Sequence, residues 1–328
     1  MRIFITGGSG FIGKVLVKRL AQDGHELVCL ARKTSQTDAL RNSGAQIYVA
    51  GLDDVGRLAK GMDGCQAVIH LANVYSFWEP NPDVYRLVNV EGTRTVMRAA
   101  LQAGVEKVIH VSTAVIYGKP EQCPYMEETP LGGRRFSAYA ESKYAGDRLV
   151  WEMHARQGLP VVGIYPAAVI GAGDLKPSGM FVVNVIKRRL PAVGLKNSRI
   201  TFVPVKDTAE AIALALYQPG NIGERYLIGK HTISLDEYLK TISEISGVRL
   251  PLISLPDRMV VGLARLLTWL ADRTGIAPLW GMSNDQTRTF LEGFECDGRK
   301  AERELGLVYT PLRQAFEEAV QWVQTNVE

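Results

Sequence analysis

The sequence predicts an α/β fold: a doubly wound parallel sheet followed by a smaller C-terminal lobe. Three observations carry that prediction. Strand-like and helix-like segments alternate from the N-terminus to about residue 165, the pattern of a parallel sheet covered on both faces. TGGSGFIG (Thr6–Gly13), with four glycines in eight residues, joins the first strand to the first helix. Beyond residue 170 the rhythm breaks into Gly- and Pro-rich connections such as GAGDLKPSG (Gly171–Gly179), and shorter elements follow. The expected division is 1–168 for the sheet domain and 169–328 for the second lobe, with some later elements returning to the sheet.

The first strand is Arg2–Ile5, short and apolar. Phe11, Ile12, Val15, Leu16 and Leu20 then recur at helical spacing until Gly24 stops the helix. Further strands are expected at Leu27–Ala31, Gln46–Ala50, Ala67–Leu71, Lys107–Ser112 and Val161–Tyr165. The clearest later helices are Val84–Ala103, ended by Gly104, and Ala138–Gln157, ended by Gly158. A closing helix is expected near Leu312–Val327.

Each glycine in TGGSGFIG costs chain entropy, so four together call for a reason. Strand, glycine turn and helix in that order place free N–H groups and the positive end of a helix dipole at the turn, a site for phosphate. Two spacings fit: Gly8-x-Gly10-x-x-Gly13 and Gly7-x-x-Gly10-x-x-Gly13. In either, the first glycine permits the turn, the middle one lets the backbone approach a pyrophosphate, and the last lets helix and strand pack closely. The turn points to a dinucleotide.

Composition excludes several other classes. An apolar share of 46% with 22% charged residues is that of a globular protein rather than a disordered one. Lys and Arg number 38 against 34 acids, a net charge of +4 without a basic block. IKRRL (Ile186–Leu190) is the densest basic spot and reads as a solvated helix face. Nothing has the basic and aromatic layout of a nucleic-acid groove. The four cysteines (Cys29, Cys65, Cys123 and Cys296) are far apart with no metal-ligand spacing, so free thiols and a reducing cytoplasm are expected and no metal. The first strand starts at residue 2 and leaves no room for a signal peptide. MVVGLARLLTWLA (Met259–Ala271) is the most apolar run, too short to span a bilayer and carrying Arg265. It reads as a buried or interface helix in preference to a membrane-surface one.

YAESK puts Tyr139 and Lys143 four apart, on one face of a helix. A tyrosine is a poor acid–base at neutral pH, with an unperturbed pKa of about 10. A neighbouring ammonium stabilises the phenolate and is expected to bring the group toward working range. Thr113 ends the strand KVIHVST with a hydroxyl at the carboxyl edge of the sheet, placed to hold a substrate oxygen beside that tyrosine.

TGGSGFIG, HLAN (His70–Asn73), NVEGT (Asn89–Thr93), VSTAVIYG (Val111–Gly118) and YAESK occur in that order. With FVPVKDTAEAIALAL (Phe202–Leu216) and KAERELG (Lys300–Gly306), they make almost the whole chain resemble the extended short-chain dehydrogenase/reductases. This is the NAD(P)-dependent epimerase/dehydratase group, with a Rossmann domain. The branch most resembled is the dihydroflavonol-reductase-like and 3β-hydroxysteroid-dehydrogenase-like one. The resemblance implies that Tyr139 is the acid–base, that Lys143 binds the nicotinamide ribose and tunes Tyr139, and that Thr113 completes the catalytic set. It implies a cofactor path along Gly7, Gly10, Phe11, Ile12, Gly13, Leu71, Ala72, Asn73, Ser112, Pro166 and Val169. For Asn89 and His70 a structural hydrogen-bonding role stands equally open. A homodimer through the helices Val84–Ala103 and Ala138–Gln157 is also implied.

Departures from the family pattern narrow the reading. Dehydratases of the group carry an Asp-Glu pair after the catalytic hydroxyl; here Ala114 and Val115 stand there. Epimerases usually carry an asparagine just after the sixth strand, where this chain has Tyr165 before Pro166. At the adenine pocket Leu52 is in register, with Asp53 as a substitute for the usual acid. The second strand ends in LARKTS, so Arg32 and Lys33 stand where NAD-binding members place an acid. Two cations suit a 2′-phosphate, favouring NADP(H) with NAD as the other candidate. Tyr75, Phe77 and Trp78, with MFVVNVI (Met180–Ile186), lean toward an apolar pocket.

The expected activity is hydride transfer between NADP(H) and an apolar small-molecule ketone or alcohol. The runner-up is a nucleotide-sugar epimerase that keeps a tightly held NAD. A non-catalytic NADP-sensing protein is the alternative of another class, and the intact Tyr–Lys pair counts against it.

Overall fold

The computed structural model describes residues 1–327. Seven parallel strands form the main sheet in the order β3-β2-β1-β4-β5-β6-β9. They are β1 (Arg2–Thr6), β2 (Glu26–Ala31), β3 (Gln46–Val49), β4 (Ala67–His70), β5 (Lys107–Val111), β6 (Val161–Pro166) and β9 (Arg225–Ile228). Each expected strand is present, with ends shifted by one residue. Their near-continuous apolar runs follow from burial on both faces: β4 and β6 expose no residue at all.

β1 feeds α1 (Phe11–Gln22), which buries Gly13, Leu16, Val17 and Leu20 against the sheet. The Ala138–Gln157 helix has the bounds its sequence implies. Ser137 caps it by accepting the Ala140 N–H at 3.2 Å, and Gly158 ends it in the left-handed conformation. The expected helix Val84–Ala103 is interrupted. A short turn at Asp83–Tyr85 leads into a π-helical segment, Arg86–Gly92, before the regular helix Thr93–Ala103. Two contacts account for it: Asn89 is clamped to the Val74 backbone, and Gly146 presses so closely on the Asn89 carbonyl that a Cβ there would stand 2.3 Å from its oxygen.

The second lobe is built on a three-stranded sheet, β10-β8-β7, from β7 (Ala168–Ile170), β8 (Arg199–Pro204) and β10 (His231–Ser234). β7 follows β6 after one residue, so the two sheets meet where the first ends. The chain then returns: β9 joins the main sheet beside β6, and the Val205–Tyr217 helix lies along α1, with Glu210 paired to Arg19 at 2.7 Å. The closing helix is Leu312–Asn326.

MVVGLARLLTWLA falls within the helix Asp257–Thr274, which is only half covered. Val260, Ala264, Leu267 and Ala271 are buried, whereas Met259, Leu266, Trp269 and Leu270 are exposed. No helix among the described residues is long and apolar enough to cross a membrane. All four cysteines are free thiols, and no metal-binding cluster occurs among the described residues.

Candidate active site

Of the two glycine spacings, the Gly7 frame is the one the backbone uses. Gly7 has φ +74°, and a Cβ there would lie 2.7 Å from the Ala72 nitrogen, so only glycine fits against the end of β4. A Cβ on Gly13 would lie 2.2 Å from the Gly7 oxygen, which enforces the close turn. Gly8, by contrast, meets only side chains, at 3.3 Å or more. Gly10 N-caps α1 without a side-chain cap and no acid lies in the first turn, which leaves the positive helix end open at Phe11 and Ile12.

The remaining cofactor candidates stand in a row along the carboxyl edge of the same sheet. Leu52 and Asp53 follow β3, Arg32 and Lys33 follow β2, and the glycine turn follows β1. Leu71, Ala72 and Asn73 follow β4, Ser112 and Thr113 follow β5, and Pro166 ends β6. From β3 to β5 is four strand spacings, roughly 19 Å, enough for an extended dinucleotide. Ser112 Oγ is buried with no hydrogen-bond partner in the protein. That orphan, the tight glycine turn and the uncapped helix end are features a nicotinamide dinucleotide would satisfy. Arg32 and Lys33 are exposed, and neither has an ion-pair partner among the described residues. Val169 is part-buried in β7, paired with Val203.

His70 and Asn89 prove to be structural. Thr93 Oγ1 donates to the Asn89 carbonyl at 2.9 Å, so His70 Nε2 donates to Thr93 Oγ1 at 3.0 Å. His70 Nδ1 then accepts from Thr6 Oγ1 at 2.7 Å, and Thr6 Oγ1 accepts the Ala72 N–H at 3.2 Å. Burial holds this imidazole neutral. Asn89 carries the Val74 backbone and donates to Ser142 Oγ at 2.9 Å. Both side chains brace the β4 loop.

Thr113, Tyr139 and Lys143 converge beside the end of β5, all buried. Lys143 Nζ donates to the Val111 carbonyl at 3.0 Å, and burial pushes its pKa down to about 8, with Asp147 opposing the fall. The expected lowering of the Tyr139 pKa is not what this environment does. Burial pushes it up, and the Thr113 hydroxyl offsets only part of the rise. The physical reason is packing: the Tyr139 ring lies 4.9 Å from that of Tyr75 and 6.1 Å from that of Phe77, a wall that solvates a phenolate poorly.

The aromatic residues after HLAN divide. Tyr75 and Phe77 face Tyr139, and Phe77 continues into Phe290 and Phe181 of the second lobe. Trp78 does not join them. The Ser76 hydroxyl bonds the Trp78 backbone on both sides, and the indole N–H donates to Asp272 Oδ1 at 2.8 Å on the Asp257–Thr274 helix. MFVVNVI contributes Val182, Val183 and Val185 to the core of this lobe and Phe181 to the ring cluster.

Three groups escaped sequence reasoning. Phe290 comes from a helix more than two hundred residues beyond Phe77. His110 and Asp147 form a sealed pair on β5 and the Tyr139 helix, Nε2 to Oδ1 at 3.4 Å. Asp174 sits buried in the connection GAGDLKPSG, accepting from the Lys176 N–H and the Ser178 hydroxyl, each at 2.8 Å. Burial raises its pKa to about 6. An acid followed by a helix start (Asp174, Pro177) is the one sequence signal that could have marked it.

Comparison with known proteins agrees with this fold. The model of the NAD dependent epimerase/dehydratase family matches residues 3–229. A Synechocystis sp. protein named as a dihydroflavonol 4-reductase is 30% identical, over 98% of this chain and 94% of that one. The crystal structure of gox2253 superposes with a TM-score of 0.85 at 31% identity, over 99% of this chain and 98% of the other. DesIV, the dTDP-glucose 4,6-dehydratase of Streptomyces venezuelae solved with NAD and TYD bound, gives a TM-score of 0.80 at 25% identity, with coverages of 99% and 98%.

Proposed function

The chain belongs to the NAD dependent epimerase/dehydratase family, and from that premise we propose that it is an NADP(H)-dependent reductase of an apolar ketone, or dehydrogenase of the matching alcohol. The observation that carries the proposal is the wall around Tyr139. Its ring is enclosed by Tyr75 and Phe77, and Val115, where dehydratases carry an acid, packs into the same apolar lobe. Such a surface suits a flat apolar carbonyl compound better than a sugar, whose hydroxyls would lack partners there.

When bound along the row of strand ends, a nicotinamide nucleotide supplies the hydride in one direction and accepts it in the other. The protein's own groups do the rest. Tyr139, kept protonated by burial, donates its proton to the carbonyl oxygen in reduction and recovers it in oxidation. Thr113 holds that oxygen. Lys143, charged below about pH 8, binds the ribose and stabilises the phenolate when Tyr139 has given its proton. Gly7, Gly10, Phe11, Ile12 and Gly13 present backbone N–H groups to the pyrophosphate. Leu52, Asp53, Leu71, Ala72, Asn73, Ser112, Pro166 and Val169 line the path, with Arg32 and Lys33 at the 2′-phosphate. Leu87, exposed on the π segment, supports a homodimer through that helix pair.

The test is nicotinamide absorbance while ketones and nucleotide sugars are offered in turn. Net cofactor turnover with a ketone is the expected result. Inversion of a sugar without net change would establish the epimerase instead, and cofactor binding without turnover of either class would favour a sensor.

A further inference from the structure

Among the described residues, half of the exposed large hydrophobic ones fall between Leu252 and Trp280, which concentrates what chance would scatter. On the Asp257–Thr274 helix, Met259, Leu266 and Leu270 make one outward row and Arg258, Arg265 and Trp269 make the next. Leu252 and Ile253 precede the helix, and Ile276, Leu279 and Trp280 follow it, all exposed.

The same surface is basic. Arg249, Arg258, Arg265 and Arg273 are exposed, and none has an ion-pair partner among the described residues. The Arg273 guanidinium lies over the Trp269 ring, 4.4 Å from its centroid. IKRRL meets this surface too. Val193, just beyond it, exchanges backbone hydrogen bonds with Ile253 and Leu255, and Asn184 just before it donates to the Trp280 carbonyl at 3.4 Å. The two acids of the helix each hold a hydrogen bond from elsewhere in the chain: Asp257 accepts the Leu195 N–H and Asp272 accepts the Trp78 indole.

We propose that the outer face of the Asp257–Thr274 helix, with its two apolar flanks and arginine rows, docks on an anionic lipid surface. A ridge of aliphatic and indole side chains edged by unpaired arginines enters the headgroup boundary, where lipid phosphates meet the guanidinium groups. A second copy seated on it would set one net-positive face against another, whereas lipid phosphates complement that charge. Docking would anchor the helix to which Trp78, next to Phe77, is bonded through Asp272.

Flotation of the full chain with vesicles tests this. Phosphatidylcholine vesicles carrying phosphatidylglycerol should bind the protein, pure phosphatidylcholine vesicles should bind it weakly, and added salt should release it. Arg265→Glu and Arg273→Glu should each weaken binding by about fivefold or more. Leu266→Ser with Trp269→Ser should abolish binding while the melting temperature holds, and Leu87→Ser, on the π segment, should leave it intact. Absence of binding to either vesicle would overturn the proposal, as would binding that these variants do not change. A dimer in sedimentation that Trp269→Ser splits would assign the face to a second copy and equally overturn it.

Discussion

His110 Nε2 stands 3.4 Å from Asp147 Oδ1, and both side chains are sealed inside the protein. Neither atom has a hydrogen-bond partner among the described residues. Burial pushes the His110 pKa down against the pull of the Asp147 charge, so the imidazole stays neutral. One helical turn before Asp147 is Lys143, whose ammonium that charge supports against burial. In the proposed reaction Asp147 therefore acts through Lys143, as a positioning residue. Asp147→Asn should let Lys143 lose its proton at lower pH, moving the alkaline limb of kcat/KM downward. Activity at about pH 8 should fall severalfold while activity near pH 6 holds. A uniform loss across the pH profile would mean that Asp147 serves packing alone.

Tyr139→Phe removes the proton that the proposed reduction requires but keeps the ring. The contacts with Tyr75 at 4.9 Å and Phe77 at 6.1 Å should survive, and with them the fold. Turnover should fall by about 100-fold or more, the usual scale of an acid–base contribution, with the melting temperature unchanged. Steady-state kinetics beside thermal melts would show it. Near wild-type turnover would remove Tyr139 from the chemistry.

What the sequence disclosed was local. Strand, glycine turn and helix are set by contiguous residues, as is the Ala138–Gln157 helix, bounded by its own Ser137 and Gly158. What it withheld depends on distant partners. The glycine frame is decided by Ala72, some sixty-five residues away, against which only Gly7 fits. The π segment depends on Val74 and Gly146, neither of them in the helix it interrupts. Adjacency misplaced Trp78 beside Phe77, because the Ser76 turn and the distant Asp272 draw its indole away. His110 and Asp147 look ordinary in sequence, and only β5 and its neighbouring helix bring them together.

Asp174 makes stability depend on pH. Its folded pKa, about 6, lies above the ordinary 3.8, because burial disfavours the charge more than its hydrogen bonds restore. The sign follows from linkage. Below pH 3.8 both folded and unfolded chains hold the proton, and the contribution to stability is fully present. As pH rises toward about 6 the unfolded chain ionises first, and stability falls, by on the order of 3 kcal/mol for such a shift. Asp174→Asn keeps an acceptor for the Lys176 N–H and cannot ionise. Relative to wild type, its melting temperature should climb by a few degrees between about pH 4 and pH 7. Parallel melts across that range would check it, and a constant difference would show that Asp174 is ionised throughout.

The proposed preference for NADP(H) rests on two residues that the glycine turn cannot replace. In the proposed complex the backbone N–H groups at Gly7–Gly13 meet the pyrophosphate that NAD and NADP share, so they do not discriminate. Discrimination falls to the end of β2, where Arg32 and Lys33 are exposed and no acid stands to accept a 2′-hydroxyl. The Arg32 N–H donates to Ser35 Oγ at 3.1 Å and its carbonyl accepts the Ser35 N–H at 2.9 Å, so the turn itself is held by the backbone. Arg32→Ala should therefore remove the guanidinium without disturbing the turn. A charge-assisted hydrogen bond is worth about 1.5–3 kcal/mol, which corresponds to roughly a 10- to 100-fold weaker complex. NADPH should weaken by about that factor, NADH should change little, and the wild-type preference should fade as salt rises, because the cations are exposed. Titration of both cofactors against wild type and Arg32→Ala, at low and high salt, measures all three. Tighter wild-type binding of NADH than of NADPH would overturn the assignment and move weight to the epimerase, whose NAD must stay bound through the cycle.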